Sequence, residues 1–237
     1  MEINMSDEDM LDNILKSLEA VDYIKPEDIP EIDLYMDQVT TFMDSKLRKT
    51  ARYPEGDKIM TKTMINNYAK NDLLPPPEKK KYSREHILVL IFIYYYKSFL
   101  SINDIQTLLS PITDKFFQNG EKYGMEQIYR EVFGMEKDVM DILKEDVKAK
   151  YHNAEEAFEN APEDQQGFLK KFAFICELSF DVYLKKMIIE KMLDELNREQ
   201  MKLEMEERES KKKTKENKET KGNKDEQISK AGREEVL

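Results

Sequence analysis

The sequence KIMTKTMINNYAKNDLLPPPEKKKYSREHI occupies residues 58–87 and predicts two helices separated by a proline-rich loop. The first helix begins after Thr61, whose hydroxyl can accept a hydrogen bond from the first turn, and it ends near Asn71. Its buried face is predicted from apolar residues at helical spacing: Met64, Ile65, Tyr68 and Ala69. Its outward face contains no acidic residue and consists of Lys62, Thr63, Asn66, Asn67 and Lys70.

The loop after this helix is rich in proline and lysine. Leu73 and Leu74 predict an apolar anchor, and the prolines at 75–77 exclude helix and impose an extended turn. Three cations follow on the returning arm: Lys79, Lys80 and Lys81. Tyr82 leads into Ser83, which is a suitable N-cap for the second helix.

Positive charge is concentrated in this stretch although the whole chain is acidic. The 237 residues carry a formal net charge of −11, whereas residues 58–86 hold seven Lys and Arg against three acids, a local excess of +4. Because screening acts over about 8 Å at physiological salt, a phosphate backbone responds to the local charge. The alternative interpretation is a solvated amphipathic helix followed by a lysine-rich loop.

Two families resemble this part of the chain. Residues 66–76 are similar to the second helix and the start of the wing in MerR-type winged helix-turn-helix regulators, and residues 82–87 resemble the start of that family's next helix. Asn66, Asn67 and Asp72 stand where that family has arginine, tyrosine and glycine. A longer resemblance, over about residues 29–112, is to the Gram-positive bacterial domain-of-unknown-function family 1836, through the motifs at 33–39, 64–68 and 80–83. It implies a MerR-like DNA-binding head.

We therefore predict a contact surface for double-stranded DNA. Asparagine side chains suit bidentate pairing with adenine, and lysines suit phosphate contacts that position the protein. The predicted contact residues are Thr61, Lys62, Thr63, Asn66, Asn67, Lys70, Lys79, Lys80, Lys81, Tyr82 and Arg84. Residues 1–57 hold 15 acids against six bases, so that region should avoid nucleic acid.

The rest of the chain predicts an all-α protein, with the winged helix-turn-helix head followed by a C-terminal helical bundle. Further helices are expected at 9–21, at 30–47 with Ile32 and Tyr35 in its apolar stripe, and at 83–99. A shorter helix capped by Ser101 should run to Leu109 before a turn at Pro111, and one or two helices should follow at 126–158. The predicted domains are 1–28 (amphipathic helix and linker), 29–112 (DNA-binding head), 113–197 (dimerisation or sensing) and 198–237 (charged tail fading into disorder, with a lysine run at 211–213).

A long helix from about residue 163 to beyond 196 is apolar on most sides, which indicates burial in a bundle or against a second subunit. Its exposed edge is predicted at Glu177, Asp181 and Lys185. We expect this helix to form a homodimer.

Composition narrows the function classes. Cys176 lies among apolar residues and is predicted to be a small core residue, and the two histidines, His86 and His152, have no metal-ligand spacing. No catalytic triad order and no glycine-rich phosphate loop is present, so we predict no enzyme and no cofactor. The acidic N-terminus and the lack of a long apolar run indicate a cytoplasmic protein without a membrane partner.

The predicted function is a sequence-specific transcriptional regulator, with repression favoured, that responds to an unidentified small-molecule or protein effector. The alternative is a helical protein-interaction module that does not bind DNA. Tyr94, Tyr95 and Tyr96 suggest a ligand-lining cage or, as is more common for a buried helix, core packing.

Overall fold

The computed structural model describes the backbone of residues 7–19 and 23–234, and the side chains of residues 10–18, 23–135, 139–206 and 208. The described chain is mostly helical, which confirms the predicted all-α class. The elements are α1 (Asp7–Glu19), β1 (Leu34–Tyr35), α2 (Met36–Leu47), α3 (Lys62–Lys70), β2 (Lys81–Tyr82), α4 (Arg84–Tyr96), α5 (Ile102–Phe116), α6 (Met125–Gly134), α7 (Glu136–Glu156) and α8 (Glu163–Glu234). The chain divides into two compact units, Met1–Ile189 and Glu190–Leu237.

The central helix of the first unit is α4, in which every residue from His86 to Ile93 is buried. Aromatic side chains of α6 pack on it, since the Phe92 ring centroid lies 5.4 Å from those of Tyr129 and Phe133. The buried Tyr129 hydroxyl donates a hydrogen bond to the Ile24 carbonyl at 2.6 Å. Residues 23–29 and α6 therefore pack together with α4, although the sequence places both outside a head at 29–112.

The second helix begins later than its apolar stripe predicts. Leu34–Tyr35 form β1, which pairs antiparallel with β2 so that Leu34 lies opposite Tyr82. The Gln38 side chain accepts a hydrogen bond from the Tyr35 amide at 2.8 Å, which caps α2 at this point. Tyr35 and Ile32, predicted in the buried stripe, are instead exposed at 54% and 69%.

The proline of α5 lies within the helix, which corrects the prediction that Pro111 opens a turn. Ser101 caps α5 as predicted, because its hydroxyl accepts a hydrogen bond from the Asp104 amide at 3.1 Å. The Thr113 hydroxyl donates to the carbonyls of Leu109 at 3.2 Å and Ser110 at 3.1 Å. These bonds go to carbonyls that follow Thr107 in the same turn, whereas the carbonyl that loses its amide donor to Pro111 is that of Thr107 itself, four residues before the proline.

A second apolar cluster in the same unit joins α1, α7 and the first part of α8. Val147, Ala154 and Phe174 form its buried centre, and the surrounding partly buried residues are Leu11, Ile14, Leu15, Leu143, Tyr151, Ala173 and Leu178. The amphipathic helix predicted near the N-terminus is thus confirmed as α1, and its apolar face is used in packing. Residues 20–22, at the predicted end of that helix, lie outside the described residues.

The polar line predicted on the exposed edge of α8 is only partly exposed, because Lys185 is 70% exposed whereas Glu177 and Asp181 are partly buried. Asp181, expected on the exposed edge, contacts the ammonium of Lys150 on α7 at 2.6 Å. The Lys150 side chain is only 14% exposed and requires anionic partners, which Asp146 and Asp181 supply. Hydrogen bonds to these two carboxylates raise the pKa of Lys150.

Several large apolar side chains of α8 face solvent. Five of them lie on one side of the helix, and we call these the outer face of α8: Phe168, Phe172, Ile175, Val182 and Tyr183. Cys176, predicted as a core residue, is exposed as well.

The second unit consists of the remainder of α8. Its backbone stays helical to Glu234, where the sequence predicts a gradual loss of order. Exposed apolar residues of this unit are Met192, Leu196, Met201, Leu203 and Met205. The side chains of the predicted lysine run at 211–213 lie outside the described residues. None of the helices described for this chain has the length and hydrophobicity that crossing a membrane requires.

Candidate nucleic-acid interface

The exposed face of α3 agrees with the sequence prediction. The Thr61 hydroxyl accepts a hydrogen bond from the Met64 amide at 3.2 Å, which confirms the N-cap. Ile65 and Tyr68 are buried, and Met64 and Ala69 are partly buried. All five predicted outward residues are exposed: Lys62, Thr63, Asn66, Asn67 and Lys70.

One acidic residue of α2 approaches this face. The ammonium of Lys62 forms an ion pair with Asp37, and their side chains are 58% and 76% exposed. An exposed pair of this kind contributes only about 0–1 kcal/mol, so a phosphate could replace the carboxylate at little cost. The sequence places Asp37 in an acidic region but does not indicate this contact.

The end of α3 is held by its own apolar anchor. Asp72 adopts a left-handed conformation with φ 53°, which turns the chain sharply after the helix. The amides of Leu73 and Leu74 both donate to the Tyr68 carbonyl, at 2.9 and 3.2 Å, and both leucines are buried. The predicted anchor is therefore confirmed, and it sets where the proline-rich loop begins.

The returning arm is a tight turn at residues 78–81, which we call the lysine turn. The Glu78 carbonyl accepts a hydrogen bond from the Lys81 amide at 2.9 Å, and the central residues Lys79 and Lys80 have φ of 50° and 65°. Two positive φ values define a type I′ hairpin turn, which favours Asn-Gly and disfavours lysine. Each lysine in this conformation costs on the order of 1–3 kcal/mol. Both side chains are exposed, so the strained turn presents two cations to solvent.

Lys81, Tyr82 and Arg84 are less accessible than the sequence predicts. The Lys81 ammonium lies 5.4 Å from the centroid of the Tyr35 ring, and Tyr82 is only 3% exposed, with the pKa of its phenol raised by burial. Arg84 donates to the Pro26 carbonyl at 2.7 Å and pairs with a glutamate of α6 at 3.4 Å. We therefore leave Tyr82 and Arg84 out of the candidate surface, because Tyr82 is buried and the guanidinium of Arg84 is already bonded within the protein.

Tyr35 is a residue of this surface that sequence analysis missed. Its exposed ring lies on β1 beside Lys81 of β2, and it adds an aromatic group next to the lysine turn. In the sequence this surface residue could be found only from the alternation of a buried residue, Leu34, with an exposed one, Tyr35. A strand of two residues is too short for such an alternation to be recognised.

The segment between α2 and α3 is an ordered loop organised by one arginine. The Arg48 guanidinium donates to the carbonyls of Pro54 at 2.5 Å and Asp57 at 2.8 Å, and it also pairs with Asp44. Ile59 and Met60 are buried and lead directly to the Thr61 cap. The loop, too long for a tight helix-turn-helix, is thus tied to the end of α2.

A buried histidine joins the proline-rich loop to α4. The Nδ1 atom of His86 accepts a hydrogen bond from the Ser83 amide at 3.0 Å, and its Nε2 lies 3.4 Å from the Pro76 carbonyl. This geometry fits a neutral ring with its proton on Nε2. Burial lowers the pKa of His86, although the carbonyl of Pro76 and the charge of Asp33 oppose that shift.

No group of three His, Cys, Asp or Glu side chains suited to a metal ion occurs among the residues that the structure describes. The candidate surface thus consists of the exposed face of α3, the lysine turn and Tyr35. Its chemistry is that of amide and cation donors, which suits binding to an anionic polymer.

Comparison with known proteins supports the family resemblance of the head. The family model described as Domain of unknown function (DUF1836) matches residues 24–132. The matched segment contains β1, α2, α3, the lysine turn, α4 and α5, together with most of α6. No curated protein and no solved structure matches the chain significantly.

Proposed function

We propose that the chain is a sequence-specific DNA-binding transcriptional regulator, in which α3 enters the major groove and the lysine turn contacts the phosphate backbone. The observation that carries this proposal is the pairing of two features. An exposed helix face without acids lies one short loop away from a strained turn that holds two exposed lysines. Strained conformations of this kind persist where the surrounding structure enforces them, often at functional sites.

The order of elements in the head also supports the proposal. A strand, two helices in contact, a hairpin turn and a returning strand are the parts that a winged helix-turn-helix requires, and here they are β1, α2, α3, the lysine turn and β2. Asp72 occupies the position where MerR-type regulators have glycine, and its left-handed backbone is one that glycine adopts readily.

We assign different roles to the exposed side chains. Asn66 and Asn67 would pair with base edges, and a good bidentate pair discriminates against a wrong base by about 1–3 kcal/mol. Lys62, Lys70 and the two lysines of the turn would contact phosphates and contribute affinity without sequence preference.

We further propose that the outer face of α8 binds a second copy of the chain. Its five large apolar side chains are each at least half exposed. If each buries about 80–100 Å², since whole aromatic side chains bury about 150–250 Å², the face supplies roughly 450 Å² per protomer. That area is a little more than half of the roughly 800 Å² per partner of a standard interface, which corresponds to a small interface. A two-fold dimer would carry two α3 helices and would fit an operator with two half-sites.

Selection of bound duplexes from a random pool by the full-length chain tests the proposal. We expect enrichment of an inverted repeat whose half-sites are about 10 base pairs apart or a multiple of that spacing. A pool that stays random after repeated rounds at low salt would contradict sequence-specific binding. Enrichment of a single half-site would keep the DNA-binding role and contradict the dimer.

The outer face of α8 also favours a second candidate, a protein-interaction module without DNA binding. On this hypothesis the chain associates through α8, while random duplex DNA shows no salt-dependent binding to it. An anisotropy titration of duplex DNA at low salt separates the two functions, because nonspecific phosphate binding should already be measurable there if α3 and the lysine turn contact DNA.

A further inference from the structure

A cavity of about 430 Å³ lies between the loop that precedes α3 and the C-terminal end of α4. Its lining includes Arg52 and Lys58 from the loop, and Tyr94, Tyr95 and Lys97 from α4 and the residue after it. A volume of this size is within the range of small-molecule sites, about 300–1,000 Å³. The tyrosine run, which the sequence leaves open between a cage and core packing, therefore lines a cavity with two of its rings.

The aromatic wall of this cavity is held in place by the fold. The Tyr94 hydroxyl makes a hydrogen bond with the Thr50 hydroxyl at 2.9 Å, and its ring lies edge-on to Tyr95 with centroids 5.7 Å apart. The Lys97 ammonium lies 4.7 Å from the Tyr94 ring centroid. The two rings stand at 74° to each other, so they form an angled apolar wall that loses little side-chain entropy on binding.

The charge of the lining is positive. Arg52, Lys58 and Lys97 supply three cations against one carboxylate, that of Asp57, which already accepts a hydrogen bond from the Tyr53 amide at 3.0 Å. Lys97 is partly buried, and it donates to the Ile59 carbonyl at 2.8 Å. Because an ammonium can donate three hydrogen bonds, Lys97 can hold the loop and also contact a ligand.

We propose that this cavity binds a small organic anion with a flat ring, of the aromatic carboxylate class. The ring would lie in the angle between the rings of Tyr94 and Tyr95, and the carboxylate would be held by Lys97, Arg52 and Lys58. Because Lys97 is bonded to the carbonyl of Ile59, two residues before the Thr61 cap, a ligand that repositions the ammonium would also shift the chain at the start of α3. This second consequence, a small-molecule control of α3, rests on the proposed DNA-binding function, whereas ligand binding itself does not.

The test uses three fluorinated probes that differ in charge but hardly in shape: 4-fluorobenzoate, 4-fluorobenzamide and 4-fluorobenzylammonium. Fluorine NMR line broadening with the full-length chain measures their affinities. Because a charge-assisted hydrogen bond is worth about 1.5–3 kcal/mol, we expect the benzoate to bind at least about tenfold more tightly than the amide, and the ammonium more weakly than either. Equal affinity of the benzoate and the ammonium, or no broadening by the benzoate at 20 mM, would overturn the proposal.

Variants locate the site. Lys97→Met should weaken 4-fluorobenzoate binding by about tenfold or more, and Lys58→Gln, at an exposed position where the fold is not at risk, by about two- to fivefold. Lys49→Gln is the matched control, because Lys49 is an exposed lysine of the same loop region that does not line the cavity. An equal effect of Lys58→Gln and Lys49→Gln would place the anion elsewhere and overturn the assignment. The probe measurements contain no DNA, so they stand if the DNA-binding function fails.

Discussion

The two central residues of the lysine turn can be replaced by the pair that this turn type prefers. The replacement removes their charge without weakening the turn, so the effect of charge on DNA binding can be measured by itself. The change is Lys79→Asn together with Lys80→Gly, because Asn-Gly is the favoured pair for a type I′ turn. The backbone of the turn is then relieved of two residues held at φ 50° and 65°. Asparagine keeps part of the cost of a positive φ and glycine loses about 0.5–1 kcal/mol more conformational entropy on folding. We therefore expect the free energy of unfolding to rise by about 1–2 kcal/mol, less than the full strain of two lysines, while DNA binding weakens. A loss of binding could not then be attributed to a damaged turn.

The size of the binding effect follows from the number of exposed cations removed. Both lysines are exposed, whereas Lys81 is partly buried against Tyr35, so two phosphate contacts should be lost. Each contact contributes about 0.9 to the slope of log affinity against log salt, and the variant's slope should be shallower by about 1.8. Between 50 and 200 mM salt the unmodified chain should therefore lose about twelvefold more affinity than the variant.

Fluorescence anisotropy with a random 25-base-pair duplex, recorded at five salt concentrations, measures this slope. The matched control is Lys171→Gln with Lys185→Gln, which removes the same charge from exposed positions on α8. The control should keep the slope of the unmodified chain. If the turn variant keeps the slope as well, the lysine turn does not contact phosphate and the proposed docking geometry is wrong.

Three further predictions concern single residues. The single changes Asn66→Ala and Asn67→Ala should each weaken binding by about 1–3 kcal/mol at one base position, while the affinity for random DNA stays almost unchanged. Footprinting on selected and on scrambled duplexes measures both affinities. An equal loss of affinity on the two kinds of duplex would contradict base contacts. Ile175→Glu should convert the proposed dimer into monomers in sedimentation, whereas Ile32→Glu should not, since Ile32 lies outside α8 and is comparably exposed at 69% against 60%. A dimer that tolerates Ile175→Glu does not use the outer face of α8. His86→Gln keeps a residue at the third helical position that can accept from Ser83, and it removes a ring whose pKa is lowered by burial. In the unmodified chain the neutral ring should therefore contribute stability that is fully present above pH 6.5 and is lost as the pH falls through the lower pKa of the folded state. If the free energies of unfolding of the two chains change in parallel between pH 7.5 and 5, this prediction is wrong.

Local sequence signals were sufficient for much of the head. The caps at Thr61 and Ser101 are predictable because a hydroxyl can accept a hydrogen bond from the backbone amide three residues later. This contact is local and does not depend on the tertiary structure. The faces of α3 follow from helical periodicity, and the burial of α4 follows from a run of apolar residues longer than one face can hold. The exposed α3 residues of the candidate site could therefore be predicted without any tertiary information.

Other features depend on residues that are distant in sequence. β1 exists because Leu34–Tyr35 pair with Lys81–Tyr82, and this pairing both exposes Tyr35 and buries Tyr82. Arg84 is occupied because Pro26 and a glutamate of α6 reach it. A strand of two residues is too short to show an alternation of buried and exposed side chains. The residues that pair with an arginine cannot be predicted from the residues next to it in the sequence.

The orientation of α8 shows the limit most clearly. Its polar line at Glu177, Asp181 and Lys185 has the spacing of an exposed helix edge, and its apolar residues have the spacing of a core face. The packing turns only part of this line inward: the carboxylate of Asp181 contacts the ammonium of Lys150 on α7 at 2.6 Å, whereas Lys185 is 70% exposed. Periodicity defines the two faces of a helix, but only the charges and cavities of the neighbouring helices determine which face turns inward.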